Sequence, residues 1–336
     1  MTTLRIHTVV AALCIAVGIC CGARAADWGR ALRFDGGDDC ARVPVVSGIP
    51  AGNAQYTEEL WLKIDGWSDW GGGYNGFIIS RGGEGSCMGS HLVLLNHHAG
   101  LTHWGLDTDT GVCVEYDKWF HMATTWDGMT ERLYINGELR WQHAWGPLAV
   151  SVSGITFGKH ANYPSYYFSG EMDEVRVWSL ARTEYEIQRD YLRQIQPDSP
   201  GLIGYWKFDE DGGQVIADSC HGNAGYLGST VSVEDSDPVR VTSGVPRVVG
   251  ISNRTAGDLT RRTGTGDFRY TVWGKATITS GSTLLLDDGS GCPIVVTAPG
   301  YTGVSTGDYA AATGSLGGTA AQPTLSSSAG QVRRIR

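Results

Sequence analysis

Short β-rich runs separated by glycine turns recur from residue 26 to about residue 240, and this pattern limits the possible folds most. Glycine supplies 48 of the 336 residues, about twice the usual share of ~7%. Asn136-Gly137 lies between two runs and predicts a tight hairpin, because both residues tolerate positive φ. Regularly spaced strands with turn signals are typical of a sandwich or a barrel. The runs are Ala31–Phe34, Glu58–Ile64, Gly76–Ser80, His91–Asn96, Trp119–Trp126, Arg132–Ile135, Ile155–Gly158 and Val175–Trp178.

Helical character is confined to residues 183–194. Thr183 can cap a helix, and Glu186 three residues later completes a capping box. Apolar residues then recur near the helical period, at Tyr185, Ile187, Tyr191 and Leu192. Pro197 is expected to prevent further extension. The fold class is therefore all-β with one short helix.

The first 25 residues have the features of a secretory signal peptide. Arg5 precedes an apolar stretch from Thr8 to Cys21, and Ala23-Arg24-Ala25 forms a small-x-small cleavage site. The stretch is shorter than the ~20 residues of a membrane span, and no later stretch is apolar over 18 residues. We therefore expect a protein without a membrane span that is secreted to the periplasm or the extracellular space.

Charge changes sign along the chain. Residues 26–249 carry 16 basic and 30 acidic side chains, whereas residues 250–336 carry 8 basic and 5 acidic ones. The overall net charge of −9 argues against a nucleic-acid partner. The change coincides with a segment rich in proline and glycine, which predicts a linker over residues 241–261 between a domain at 26–240 and a second at 262–336.

The second domain is predicted to contain five short strands, at Arg269–Ile278, Ser282–Asp287, Pro293–Thr297, Asp308–Gly314 and Pro323–Arg334. Val272–Lys275, Leu286–Gly291 and Gly307–Ala310 resemble the corresponding parts of a bacterial OB-fold. OB-folds often bind single-stranded nucleic acid through aromatic stacking. Export makes that partner unsuitable, and a structural or interaction module is expected instead.

Six motifs in the first domain resemble, in order, those of the laminin G-like jelly roll of the concanavalin A-like superfamily. They are Ala31–Cys40, Trp119–Gly128, Leu133–Gly137, Gly170–Trp178, Leu202–Glu210 and Asp218–Asn223. The resemblance implies a two-sheet antiparallel jelly-roll sandwich, followed here by a small five-stranded OB-like barrel. It also implies a secreted adhesion or carbohydrate-binding module, with calcium at the sandwich rim in many members.

Calcium is the expected cofactor if there is one, and four aspartates are its candidate ligands. Asp35, Asp38 and Asp39 lie in one glycine-rich turn, and Asp173 matches a rim carboxylate of the family. Calcium takes six to eight hard oxygen ligands, chiefly carboxylates and carbonyls. The alternative is that these aspartates cap turns through their own hydrogen bonds.

Two loops carry the candidate ligand-binding residues, because sugars stack on aromatic rings beside polar groups. The first is glycine-rich and contains Trp67, Trp70 and Tyr74, and the second contains Tyr163 and Tyr166. The alternative is that these rings only pack within the protein or are exposed without a ligand.

Four cysteines are candidates for disulfides, since exported proteins meet an oxidising compartment. A Cys87–Cys113 bridge would close a loop of 27 residues, which the chain-entropy model values at roughly 3–4 kcal/mol. A Cys40–Cys220 bridge would join the first and last jelly-roll motifs. The alternative is that all four are free thiols.

Glu171-x-Asp173 resembles the start of the E-x-D-x-x-E strand motif of concanavalin-like glycosidases, but Arg176 occupies the place of the last carboxylate. A retaining mechanism needs two carboxyl groups ~5–5.5 Å apart. We therefore expect a secreted, non-catalytic protein that recognises extracellular carbohydrate or protein. A degenerate or unrecognised glycoside hydrolase and a purely structural envelope or matrix component remain alternatives.

Overall fold

The structure is a computed structural model that describes residues 28–66, 72–151, 154–246, 248–250, 253, 256, 269–319 and 322–335. Within these residues the chain consists mainly of β-strands, with the short helix Glu184–Asp190 and the helical residues Asn253 and Ala256. Two antiparallel sheets form a sandwich, and a closed five-stranded barrel follows. The all-β fold class and both architectures predicted from the sequence are confirmed.

Sheet A forms one layer of the sandwich, in the order β10-β9-β8-β3-β12-β1-β16, with β13 also paired to β12. Asn136 and Gly137 form the predicted turn between β9 and β10, with φ of 52° and 83°. The strands are β1 (Arg30–Asp35), β3 (Tyr56–Ile64), β8 (Phe120–Trp126), β9 (Thr130–Ile135), β10 (Glu138–Ala144), β12 (Ser169–Trp178), β13 (Leu202–Trp206) and β16 (Val239–Thr242).

Sheet B forms the other layer, in the order β14-β15-β2-β11-β4-β5-β6-β7. Its last four strands are consecutive antiparallel neighbours in the chain. The strands are β2 (Ala41–Val43), β4 (Tyr74–Gly82), β5 (Gly89–Leu95), β6 (His98–Thr102), β7 (Asp107–Cys113), β11 (Ile155–Phe157), β14 (Val215–Ile216) and β15 (Gly225–Leu227).

The barrel closes through β18-β19-β20-β22-β21 and back to β18, with β20 and β22 parallel. Alternate residues of β18 and β19 point inward and form its apolar core. The five strands agree with the sequence prediction, and β17 adds a parallel partner to β18. The strands are β17 (Val248–Gly250), β18 (Arg269–Ser280), β19 (Thr283–Asp287), β20 (Ile294–Thr297), β21 (Tyr309–Gly318) and β22 (Pro323–Arg334).

The helix α1 (Glu184–Asp190) lies over the outer face of sheet A. Thr183 and Glu186 form the predicted capping box, so the sequence located the start of the helix correctly. Trp61 of β3 donates its indole N–H to the carbonyl of Tyr191, 2.8 Å away. With core on one side and helix on the other, β3 is buried over nearly its whole length. None of the helices in the described part of the chain is long and apolar enough to cross a membrane.

A buried ion pair connects the two sheets. Arg81 of β4 donates from Nε to Glu58 of β3, and both side chains are 1% exposed. Arg81 also donates from Nη1 to the carbonyl of Pro50 at 3.0 Å, and its guanidinium lies 4.6 Å from the ring centre of Tyr56. A charge in the interior requires such partners, because desolvation is expensive.

The predicted Cys87–Cys113 disulfide is absent, and both residues are free thiols. The pairing of β6 explains why. Cys113 lies opposite His98, the first residue of β6. The N–H of Cys87 instead donates to the carbonyl of Trp104, beyond the other end of β6. The five residues of β6 alone span about 13 Å, whereas a disulfide joins Cα atoms no more than ~7 Å apart.

The predicted Cys40–Cys220 disulfide is also absent. Cys40 precedes β2 in sheet B, and its Sγ lies 3.7 Å from the hydroxyl of Ser229. Cys220 packs against a cluster on sheet A and donates its S–H to Asp218 at 3.0 Å. The two thiols therefore belong to different sheets and have different partners, which corrects the prediction that they tie the ends of the domain together.

We expect Arg81→Met to lower the free energy of unfolding by about 3–5 kcal/mol, because it leaves the carboxylate of Glu58 buried without its charged partner. Urea denaturation measures this change. The double variant Glu58→Leu/Arg81→Met, which removes both charges, should be at least ~2 kcal/mol more stable than Arg81→Met alone. Additive losses in the double variant would contradict the ion-pair explanation.

Candidate functional site

A cavity of about 450 Å³ lies on the outer face of sheet B. Alternate residues of β5 point to opposite faces of the sheet, so Leu92 and Leu94 enter the sandwich core while His91 and Val93 face outward. We call this site the aromatic cavity. Its lining residues are Tyr74, Phe77, His91, Thr102, Trp104, Gly105, Asp107, His160, Tyr163, Ser165 and Tyr166.

Five aromatic rings dominate the lining. Trp104 and Tyr163 are almost parallel, with an interplanar angle of 7° and ring centres 5.9 Å apart. Tyr74 lies 5.0 Å from Tyr166 and 5.5 Å from Phe77, measured between ring centres. Such rings offer flat apolar faces, and the phenols and the indole add polar edges. The arrangement suits a ligand with both apolar faces and polar edges.

Hydroxyl, imidazole and carboxylate groups interrupt the aromatic surface. The hydroxyl of Thr102 donates to the carboxylate of Asp107, its neighbour across β6 and β7. His91 is hydrogen-bonded through Nδ1 to the hydroxyl of Ser80 at 2.9 Å. His160 accepts from the N–H of Asn162 at 3.1 Å. A few fixed polar groups in an apolar pocket are what orient a small ligand.

Burial keeps the imidazoles of the cavity uncharged at neutral pH. It holds the pKa of His91 well below the usual value, and the nearby His160 lowers it further. Burial also lowers the pKa of His160 to about 4, with a smaller contribution from the charge of Lys159. The pKa of the Tyr74 phenol is raised by burial and by the carboxylate of Asp107. At neutral pH, His91, His160 and Tyr74 can therefore donate and accept hydrogen bonds while they are uncharged.

Two aromatic residues of the cavity have an unusual backbone conformation. Trp104 and Tyr166 have φ of 59° and 64°, the left-handed region that bulky residues rarely adopt. Each costs of order 1–3 kcal/mol, and such residues cluster at functional sites. Backbone hydrogen bonds hold both residues in place. The N–H of Phe77 donates to the carbonyl of Tyr166 at 2.8 Å, and the N–H of Cys87 donates to the carbonyl of Trp104 at 3.2 Å.

The structure brings three of the five predicted ligand-binding residues together, because Tyr74, Tyr163 and Tyr166 all line the aromatic cavity. Trp67 and Trp70 lie outside the described residues. Trp104 was not predicted as a ligand-binding residue, and it lies between β6 and β7. Its position directly before Gly105 was the available signal for a turn. Asp107, His91 and His160 also line the cavity without having been predicted as ligand-binding residues.

Three of the four predicted calcium ligands form a cluster at a separate place. Asp35, Asp38 and Asp39 can each offer an oxygen within 4.8 Å of the others. Two of the three carboxylates already accept hydrogen bonds from backbone N–H groups. The N–H of Asp35 donates to the carboxylate of Asp39 at 2.8 Å, and the N–H of Gly37 donates to the carboxylate of Asp35 at 2.7 Å. Burial raises the pKa of Asp39 to about 6, and repulsion from Asp35 and Asp38 contributes. A cation would relieve this repulsion.

Asp173 does not belong to this cluster, which corrects the predicted ligand set. In the pairing of β1 with β12, Asp35 lies opposite Ser169, four residues from Asp173, or about 13 Å along the strand. Asp173 is fully buried. Its carboxylate accepts from the hydroxyl of Ser243 at 2.6 Å and from the N–H of Glu174 at 2.7 Å. Its role is therefore a structural one within sheet A.

The glycosidase-like motif also lies away from the aromatic cavity. Glu171 of β12 accepts from Lys63 of β3 at 2.8 Å, on sheet A. Arg176, which takes the place of the last carboxylate, is buried and donates to Glu174 at 2.8 Å. Among the described residues that line the aromatic cavity, Asp107 alone carries a carboxylate.

Residues 35–188 match the family model of the concanavalin A-like lectin/glucanases superfamily, Laminin_G_3. This part of the sandwich is therefore similar to the laminin G-like domains of that superfamily, in agreement with the resemblance of its motifs. The match covers less than half of the chain and does not extend to the barrel. No curated protein matches the chain.

Several solved structures are similar to parts of this chain. A protein from Bacteroides ovatus assigned as carbohydrate-binding has a TM-score of 0.51 and 23% identity over 64% of this chain. This chain spans 60% of that protein. Domain 4 of the arabinanase AbnA from Geobacillus stearothermophilus, solved with arabinotriose, has a TM-score of 0.36 and 19% identity, covering 43% of this chain and 69% of that one. A SAP-like pentraxin from Limulus polyphemus has a TM-score of 0.41 and 15% identity, covering 61% and 98%.

The low pKa of His160 makes the stability of the fold depend on pH. In the unfolded chain this histidine has a pKa of ~6.5, whereas in the folded chain His160 has a pKa of about 4. As the pH falls, the unfolded chain therefore takes up the proton first. Stability is therefore lost as the pH falls from 6.5 to 4. The full shift corresponds to ~3.4 kcal/mol, and we expect roughly 2 kcal/mol because the side chain borders the open cavity.

The variant His160→Asn tests this expectation, because its amide oxygen can still accept from the N–H of Asn162 but does not titrate. Urea denaturation at pH 7 and pH 4 should show that the wild type loses about 2 kcal/mol more than the variant. Equal losses in the two proteins would show that His160 is not the group responsible.

Proposed function

We propose that this protein is a carbohydrate-binding protein that holds a glycan in the aromatic cavity. The arrangement of Trp104 and Tyr163 carries the proposal, because nearly parallel rings beside open space offer faces on which a sugar ring can stack. Asp107, Thr102 and Ser165 supply the polar groups that hydroxyls require. Side chains of two chemical types thus converge in one concave site, which is the usual composition of a small-molecule pocket.

The superfamily of the sandwich and the carbohydrate-binding assignment of the Bacteroides ovatus protein both support this proposal. The fold alone would not, because one fold can carry many functions. The geometry of the aromatic cavity supplies the argument specific to this chain.

We propose binding rather than hydrolysis. Glycoside hydrolysis uses two carboxyl groups, ~5–5.5 Å apart in retaining enzymes and ~6.5–9.5 Å apart in inverting ones. Asp107 is the carboxylate of the described lining. Glu84 interacts with the phenol of Tyr163 at the rim and is not a lining residue, and the pair Glu171 and Asp173 lies on the other sheet. Release of reducing ends from a bound oligosaccharide, abolished by Asp107→Asn, would instead support the alternative of a glycoside hydrolase.

The proposed setting is outside the cytoplasm, on the basis of the signal-like residues 1–25. The partners would then be extracellular glycans or proteins rather than nucleic acid. The barrel would serve as an attached structural or interaction module. A purely structural matrix component would behave differently, since it would self-associate and bind no glycan.

We also propose that the cluster of Asp35, Asp38 and Asp39 binds calcium in support of the fold. Three carboxylates converge there, and oxygen-rich turns are the usual calcium sites. The raised pKa of Asp39 records burial and repulsion from neighbouring acids, which bound calcium would offset.

Removal of one ring tests the glycan site. Tyr163→Ala should weaken binding of a glycan identified on an array by about 10-fold or more, equivalent to ~1.4 kcal/mol, as measured by calorimetry. Tyr185→Ala is the matched control, because Tyr185 is similarly exposed (47% against 37%) but lies on α1, over sheet A. If both variants bind like the wild type, the glycan does not occupy the aromatic cavity.

Calcium addition tests the aspartate cluster. Millimolar calcium should raise the melting temperature of the chelator-treated protein by several degrees, because a ligand of the folded state stabilises it in proportion to ln(1 + [L]/Kd). Asp38→Asn should lose most of this increase. An unchanged melting temperature in the wild type would remove the calcium proposal and leave the glycan proposal intact.

A further inference from the structure

We propose that the aromatic cavity selects sugars that carry a free ammonium group, namely hexosamines and their oligosaccharides, over neutral and acidic sugars. This inference rests on the proposed function and adds the charge of the ligand. The observation behind it is that five aromatic rings and one carboxylate line the same cavity, whose described lining contains no lysine or arginine.

The charges at the cavity favour a cation. Asp107 is part of the lining, whereas the described lining residues include neither lysine nor arginine. A second carboxylate reaches the rim, because Glu84 is hydrogen-bonded to the phenol of Tyr163. The nearest lysine in sequence, Lys159, is close enough to lower the pKa of His160, but its Nζ lies 5.9 Å from the ring centre of Tyr167, which is not a lining residue. An anionic sugar would therefore meet carboxylates in the cavity and no cationic side chain of the described lining.

The aromatic rings add to this preference. The face of an aromatic ring carries partial negative charge, and it attracts an ammonium group placed within about 6 Å of the ring centre. Tyr74, Trp104, Tyr163 and Tyr166 line the same cavity, so one ligand can meet several rings. An N-acetylated sugar lacks the charge for this interaction, although it can still stack.

The imidazoles do not oppose a cation near neutral pH. Burial lowers the pKa of both His91 and His160, the latter to about 4. Both side chains are therefore uncharged near neutral pH, and His160 stays uncharged at pH values well above 4, where the amine of a hexosamine is protonated. The cavity can therefore be negative in the pH range in which the ligand is positive.

Asp107 is positioned to receive the ammonium group. Its carboxylate accepts from the hydroxyl of Thr102 and interacts with the phenol of Tyr74. These contacts fix the side chain but use only part of its capacity, because an ionised carboxylate has about four acceptor positions. The remaining positions can accept from the N–H groups of the ligand, in a charge-assisted hydrogen bond.

Calorimetry with three tetrasaccharides tests the proposal on the full-length protein at pH 5.5. The probes are a glucosamine tetramer, its fully N-acetylated form and a galacturonate tetramer. We expect the glucosamine tetramer to bind at least 10-fold more tightly than the N-acetylated one, and galacturonate to bind most weakly. The preference should shrink as the salt concentration rises, because the ligand charge causes it.

Two variants locate the effect. Asp107→Asn keeps the shape and should reduce the preference for the amine to within about 2-fold, with little change in binding of the N-acetylated tetramer. Asp109→Asn is the matched control, because Asp109 lies on the same strand, bonds to His98 and Asn96, and does not line the cavity. It should keep the wild-type preference. Circular dichroism and thermal melting confirm that both variants are folded.

The outcomes separate this inference from the proposed function. If the protein binds the glucosamine and N-acetylated tetramers equally, or binds galacturonate most tightly, the charge selectivity is wrong and glycan binding stands. If an amine preference survives unchanged in Asp107→Asn, the assigned carboxylate is wrong and the inference fails. If neither these tetramers nor an array of other glycans bind, the proposed function fails and the inference fails with it.

Discussion

The period-two alternation of β5 ties the core of the sandwich to the aromatic cavity. Leu92 and Leu94 pack between the sheets, while His91 and Val93 face the opposite side. A slip of one residue would exchange the two sets, so the apolar core that stabilises the fold also determines which groups face the cavity. The same pairing places His91 beside Ser80 on one neighbouring strand and Thr102 on the other.

Features encoded by neighbouring residues could be predicted from the sequence. The capping box of Thr183 and Glu186, the Asn136-Gly137 turn and the five strands of the barrel depend on a few adjacent residues, and the structure contains them all. The sandwich was predictable because its motifs occur in a characteristic order. Tyr74, Tyr163 and Tyr166 were identifiable because turn residues surround them.

Features that depend on strand pairing could not be predicted. Cys87 and Cys113 are close in sequence, but β6 places them at opposite ends of a strand. Asp173 and Asp35 lie on paired strands, but the register separates them. Trp104 and His160 come from segments far apart in the chain, and their rings approach within 6.0 Å only in the folded protein. Such contacts depend on how segments distant in sequence align in the fold, and no local sequence pattern predicts that alignment.

The left-handed backbone of Trp104 and Tyr166 has a consequence for how the cavity meets a ligand. A peptide segment left to itself would leave this conformation, so the surrounding strands must maintain it whether or not a ligand is present. The rings would then already be in place for the proposed sugar, and the protein would give up little conformational entropy on binding it. Recognition at the proposed site would be by preorganised shape: the sugar would have to match the spacing of the rings, because the rings would not rearrange to match the sugar.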